Sequence, residues 1–158
     1  MKNNIVFGLQ NEEIKRLPFL IKSVEEDNYI KYIVALSIEG KKENIKESNP
    51  DLYKILLKCK TLISDKNNMY EITFSDYIMH MVRNESYAMV GPDETFDGKY
   101  IVIFKKSKLL ECTNNLIEND LVKSFNKKNY KHYGMFCENH IIDVISCNEP
   151  QVRKINVD

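Results

Sequence analysis

The alternation of Tyr70, Ile72 and Phe74 with Glu71, Thr73 and Ser75 constrains this chain most. A side-chain period of two suits a strand with one face in the core and the other in water. Further on, Tyr100, Ile101, Val102, Ile103 and Phe104 form an unbroken apolar run after Asp97-Gly98. Such a run fits a strand covered on both faces, and it is the best candidate for the centre of a sheet.

Between them, residues 76–82 fit two templates. Tyr77, Met79 and Met81 alternate as a strand would, whereas Tyr77, Ile78, Met81 and Val82 would share one face of a helix. The strand reading moves the inward set from even to odd positions, which requires an extra residue, a β-bulge, near Ser75-Asp76.

Upstream, the patterns read as helical. Leu17, Leu20, Ile21 and Val24 recur at helical spacing with Pro18 in the first turn, predicting a helix to about Glu26. Tyr29 to Ile38 is read as a second helix, capped by Asn28 and ended at Gly40, although Tyr, Ile and Val also favour a strand. Asn49, Pro50 and Asp51 open a third, with an apolar stripe of Leu52, Ile55, Leu56, Cys59 and Ile63. Asn4 to Leu9 is an edge strand or a tucked terminus.

Ser107 caps a helix with Leu109, Leu110, Thr113, Leu116 and Ile117 on its buried face, and Asn119 to Phe125 is a short continuation. Tyr130 to Cys137 and His140 to Cys147 read as two strands around Glu138-Asn139, followed by a last strand from Val152 to Val157. These segments predict one α+β domain over residues 1–158, a mostly antiparallel sheet with N-terminal helices and one helix packed across the sheet. A chain of 158 residues is long enough to bury its own core.

No apolar run approaches the roughly 20 residues of a membrane-spanning helix, and no signal-peptide pattern opens the chain, so the expected location is cytoplasmic and no membrane partner is expected. Cys59, Cys112, Cys137 and Cys147 are spaced 53, 25 and 10 residues apart, without the close pairs of zinc sites or redox dithiols. They are read as reduced core thiols, and no metal is expected. The five glycines never cluster, which argues against a phosphate-cradling loop and leaves no cofactor implied.

Imidazoles are the natural acid–base groups near neutral pH. His80 lies in an apolar run and reads as a satisfied sheet residue. His132 and His140 fall on adjacent predicted strands, where Asp143 or Cys137 could orient or pair with one of them. With a two-residue turn, His140 lies across from Cys137 while His132 faces Ile145, which puts the two histidines on opposite faces.

Net charge is zero but unevenly spread: residues 61–98 hold two basic side chains against seven acidic ones, and residues 99–131 hold eight lysines against three acidic groups. Nucleic acid would require Lys105, Lys106, Lys108, Lys123, Lys127, Lys128 and Lys131, with Phe125, Tyr130 and Tyr133 for stacking. Arginine, the better fork for phosphate and bases, is missing from that region, so nucleic acid is disfavoured as a partner.

The run Arg83-Asn84-Glu85-Ser86-Tyr87, with Asp97-Gly98 and the Phe104 to Leu110 junction, resembles small uncharacterised proteins of Gram-positive bacteria. The similarity extends to Lys131-His132-Tyr133 and Ile142-Asp143-Val144. This resemblance implies a bacterial domain of the sort found as the antitoxin or immunity partner of a secreted toxin, and it identifies no catalytic residue. The leading expectation is therefore a non-enzymatic protein-interaction domain, an immunity protein that binds and neutralises a bacterial toxin. Its contact surface is placed on Asp76, Glu85, Asp93, Glu94 and Asp97, because acidic groups steer association with a positively charged partner. The alternative is a small enzyme or ligand-binding domain using His132, His140 and Asp143; a nucleic-acid-binding module comes third.

Overall fold

The computed structural model describes residues 6–8, 16–41, 48–125 and 129–156. Strands dominate it. In chain order they are β1 (Pro18–Glu26), β2 (Tyr29–Glu39), β3 (Leu62–Ser75), β4 (Tyr77–Asn84), β5 (Thr95–Asp97), β6 (Ile101–Lys106), β7 (Lys131–Phe136), β8 (His140–Ser146) and β9 (Gln151–Ile155). The α-helices among the described residues are short: α1 (Pro50–Leu56), α2 (Lys108–Leu116) and α3 (Asn119–Phe125). None is long and apolar enough to cross a membrane.

Two antiparallel sheets form, one in the order β1-β2-β3-β9 and the other β4-β8-β7-β6-β5. The expected α+β architecture with N-terminal helices is therefore corrected to a mostly β fold of two sheets. Its two leading helices are strands: Glu26 pairs with Tyr29 across Asp27-Asn28, closing β1 and β2 into a hairpin. The spacing of Leu17, Leu20, Ile21 and Val24 matched a helix by coincidence, and Pro18 suits the start of an edge strand as well as a first helical turn. In β2, Ile30, Tyr32, Val34 and Leu36 are all buried at a period of two. Their β-branched and aromatic content suits that pleated surface better than a helix.

The predicted start of α1 is present, since the Asn49 side chain accepts from the amides of Asp51 and Leu52. The helix nevertheless ends at Leu56 and buries none of its residues, while Ile63 of the expected stripe belongs to β3. Residues 77–84 are a strand, as the alternation favoured. The irregularity expected at Ser75-Asp76 takes a different form. Asp76 adopts a left-handed φ of 50° and carries the chain from the first sheet into the second. The bulge falls at Ile78, between the paired residues Tyr77 and Met79. It returns the inward set to even positions and leaves Met79, Met81 and Arg83 on the outer face. The apolar run at β6 is not central, because only the short β5 lies beyond it and β7 occupies the middle of its sheet.

The core lies between the two sheets. Tyr32, Tyr70, Ile72 and Phe74 come from the first, and Ile101, Tyr133, Met135, Ile142 and Val144 from the second. Phe7, from the N-terminal piece, sits edge-on to Phe74 at 5.8 Å and to Tyr133 at 5.4 Å. Each fully buried side chain of this size contributes about 1.5–3 kcal/mol.

Candidate functional site

The second sheet's outer face gathers the chemistry. Asp143 of β8 stands opposite Met81 of β4 on one side and Gly134 of β7 on the other. His132 is diagonal to it and stands opposite Phe104 of β6. Diagonal neighbours on one face lie within reach of long side chains.

There the His132 Nε2 meets Asp143 Oδ1 at 2.9 Å, and its Nδ1 meets Ser107 Oγ at 2.8 Å. Arg83 donates from Nε and from a terminal nitrogen to Asp143 Oδ2, at 3.0 and 2.8 Å. A carboxylate only accepts, so Nε2 carries a proton; in the neutral ring Nδ1 then accepts, and the Ser107 hydroxyl is its donor. Phe104 lies flat on the imidazole, with ring centres 4.0 Å apart and planes 6° from parallel. Gly134 makes room for that ring, since a Cβ there would come within 2.7 Å of Phe104 and 2.8 Å of Val102.

A hydroxyl, an imidazole and a carboxylate in line have the composition of a nucleophilic triad. Here the hydroxyl is already employed. Ser107 is 1% exposed and caps α2, accepting from the Leu110 amide at 3.0 Å. The line therefore ties the start of α2 to three strands and does not present a nucleophile. His132 and Asp143 come together as the sequence suggested, but His140 does not join them. It pairs across from Asn84, and its carbonyl accepts from the Cys137 amide at 2.8 Å, on the inward face. His80 is satisfied, meeting the Tyr32 hydroxyl at 3.1 Å and Glu25 at 3.3 Å. The Tyr77 hydroxyl, first, and then His80 hold the Glu25 carboxyl below its usual range.

Beside this network opens a cleft of about 270 Å³, walled by Met81, Met89, Val90, Phe104 and Leu109, with Arg83 at its side. Residues 85–94 form its roof. A 3-10 turn, Glu85–Tyr87, is capped by the Asn84 side chain, and the chain then crosses above the sheet. Glu94 fastens the crossing, accepting from the amides of Gly91 at 2.6 Å and Lys108 at 3.0 Å. Two large side chains on this braced loop face water: Tyr87 is 90% exposed and Met89 78%.

Of the acidic residues singled out in the sequence, Glu85 and Asp93 are exposed on the same loop as Tyr87 and Met89. Glu94 is occupied as the loop's fastening, Asp97 pairs with Lys105 at 2.7 Å, and Asp76 lies at the crossing between sheets. β4 and β5 are opposite edges of their sheet, so Asp76 and Asp97 stand far apart across it. The lysine-rich stretch is divided too. Lys105 and Lys131 are paired with Asp97 and Glu149, Tyr133 is in the core, and the Tyr130 hydroxyl is bonded to Asn114 and Asn119. Lys127, Lys128 and the Phe125 side chain lie outside the described residues.

Sequence reasoning missed Arg83, Tyr87 and Met89, and read Ser107 only as a cap. Asp143 within an apolar strand was the available signal for Arg83, because a buried carboxylate demands a cation. All four cysteines are free, with Cys137 and Cys147 buried and Cys59 and Cys112 exposed, which corrects the reading of all four as core thiols. No grouping of three or more His, Cys, Asp or Glu that could hold a metal ion occurs among the described residues. No family model, curated protein or solved structure matches the chain.

Proposed function

We propose that this chain is a non-enzymatic protein-interaction domain whose contact element is the loop of residues 85–94. The observation that carries the reading is the exposure of Tyr87 and Met89, at 90% and 78%, on a loop held from beneath by Glu94. Aromatic and methionine side chains are enriched in interfaces, where a few of them supply most of the binding energy. A scaffolded loop loses little entropy when it binds. Glu85 and Asp93 on the same loop add negative charge at the rim, which suits a partner with a basic surface around an apolar socket. A toxin that attacks nucleic acid must carry positive charge to approach phosphates, and the resemblance to small proteins of Gram-positive bacteria points the same way. In this reading the domain neutralises the toxin by covering that surface.

The test is the affinity of a Tyr87→Ala, Met89→Ala double variant for the protein that co-purifies with the wild-type chain from native lysate. Loss of two central contacts should weaken binding by at least about thirtyfold, the effect of about 2 kcal/mol. The melting temperature should hold, because both side chains are mostly exposed. An unchanged affinity would move the contact elsewhere.

A second reading, a small-molecule site in the cleft, is favoured by the convergence of Arg83, His132 and Asp143 at its floor. It requires that Arg83→Met abolish binding of a small ligand while leaving the loop's partner bound.

A further inference from the structure

At one end of the sandwich a second cavity of about 270 Å³ opens between the sheets, on the opposite side of β7 from His132. Phe7, Ile103 and Val152 supply apolar walls, and Pro150 stands at its rim. Tyr133 and Glu149 also line it. Tyr133 is 1% exposed, and its hydroxyl has no hydrogen-bond partner among the described residues. Leaving such a group unserved is costly, and most buried hydroxyls in folded proteins are bonded. Glu149 contacts Lys131 through Oε1, at 3.5 Å.

We propose that this cavity is a binding site for a small organic amine, with the apolar body against Phe7, Ile103 and Val152 and the ammonium group between the Tyr133 oxygen and the Glu149 carboxylate. Size sets the body: an apolar cavity of about 150 Å³ holds benzene, so this one accommodates roughly ten non-hydrogen atoms. Chemistry sets the head. Burial first, and then the neighbouring Glu149, push the Tyr133 hydroxyl up to about 12, so it stays neutral and its oxygen can accept while its proton remains a donor. The Glu149 carboxylate only accepts, and its negative charge beside an apolar cavity selects an ammonium group over an anion. The proposal is independent of the loop of residues 85–94, which lies on the other face of the sheet.

Calorimetric titration of the full chain with 2-phenylethylamine, 2-phenylethanol and phenylacetate tests it. The amine should bind saturably and about tenfold more tightly than the alcohol, and phenylacetate should not bind. Tyr133→Phe removes only the hydroxyl and should weaken the amine about fivefold without unfolding the protein. Glu149→Gln, at an exposed position, should erase the preference for amine over alcohol. No saturable heat with the amine, equal binding of all three probes, or indifference to both substitutions overturns the proposal. So does a Tyr133→Phe protein that melts higher while the wild type takes up no probe, which would mean that water alone serves the hydroxyl.

Discussion

Asp143 occupies the middle of Ile141-Ile142-Asp143-Val144-Ile145, and a carboxylate that is 1% exposed persists there only because Arg83 and His132 serve both its oxygens. Arg83→Met should therefore destabilise by about 3 kcal/mol in urea unfolding, since it strands a buried charge on one imidazole. Asp143→Asn should cost less, as it removes the buried charge itself and leaves Arg83, which is partly exposed to water. Indifference to the arginine would show that the network is idle. Gly134→Ala makes a related test, because its methyl group would lift Phe104 from His132. It should cost about 1–3 kcal/mol, read in the same assay. Thiol chemistry checks burial directly. Cys59 and Cys112 should react at once in the native protein, whereas Cys147 and Cys137, whose thiol burial pushes up to about 12, should wait for denaturant. Four thiols should then titrate without prior reduction. Any fewer would mean that a disulfide forms.

At the level of elements, the hairpin of β7 and β8 was the most legible part of the sequence. Its register was open in the sequence, because Glu138-Asn139 is not a strong turn pair; the structure has the two-residue turn, which places His132 against Ile145 and His140 against Cys137. β1 and β2 were less legible because nearly every residue of Tyr29 to Leu36 is apolar, and a pattern apolar on both faces carries no period. Pairing partners 36 to 40 residues away decide such a segment, with Tyr32 set against Ile72 and Val34 against Tyr70. The break at Ser75-Asp76 was visible as a change of parity, but parity alone does not distinguish a bulge from a change of sheet. Asp76, in the left-handed region, reports that change. Asp76→Val should destabilise by about 1–2 kcal/mol and Asp76→Gly should not, measured by thermal melting. In β3, residues 65–68 bow out opposite Leu36 alone, between the Met69–Ala35 and Ser64–Ser37 pairs. Asp65 holds that bow: the Asn68 side chain, then Arg16 and the Asn67 amide, lower its carboxyl from 3.8 to about 2. A depressed folded value means that this contribution is complete above pH 3.8 and lost as pH falls through about 2. Asp65→Asn should flatten the stability profile across that window and leave it parallel to wild type at neutral pH.

Across the whole molecule, two antiparallel sheets enclose one core and leave their outer faces to different tasks. The outer face of the second sheet bears the network of Ser107, His132, Asp143 and Arg83, which anchors α2. Through Glu94, α2 fixes the loop that exposes Tyr87 and Met89. The acidic character of that loop was plain in the sequence, but the exposure of its apolar residues was not, because only the pairing of β4 with β8 shows that residues 85–94 must cross above the sheet. The methionine methyl groups report on this arrangement together. Met69 and Met135 are in the core, Met81 lines the cleft and Met89 lies on the loop. A methyl spectrum of the methionine-labelled chain, titrated with the protein that co-purifies with it, is the most direct measurement. The account predicts a saturable shift and broadening of Met89, a smaller change at Met81, and unmoved signals from Met69 and Met135. A complex that forms while Met89 stays in place would contradict it.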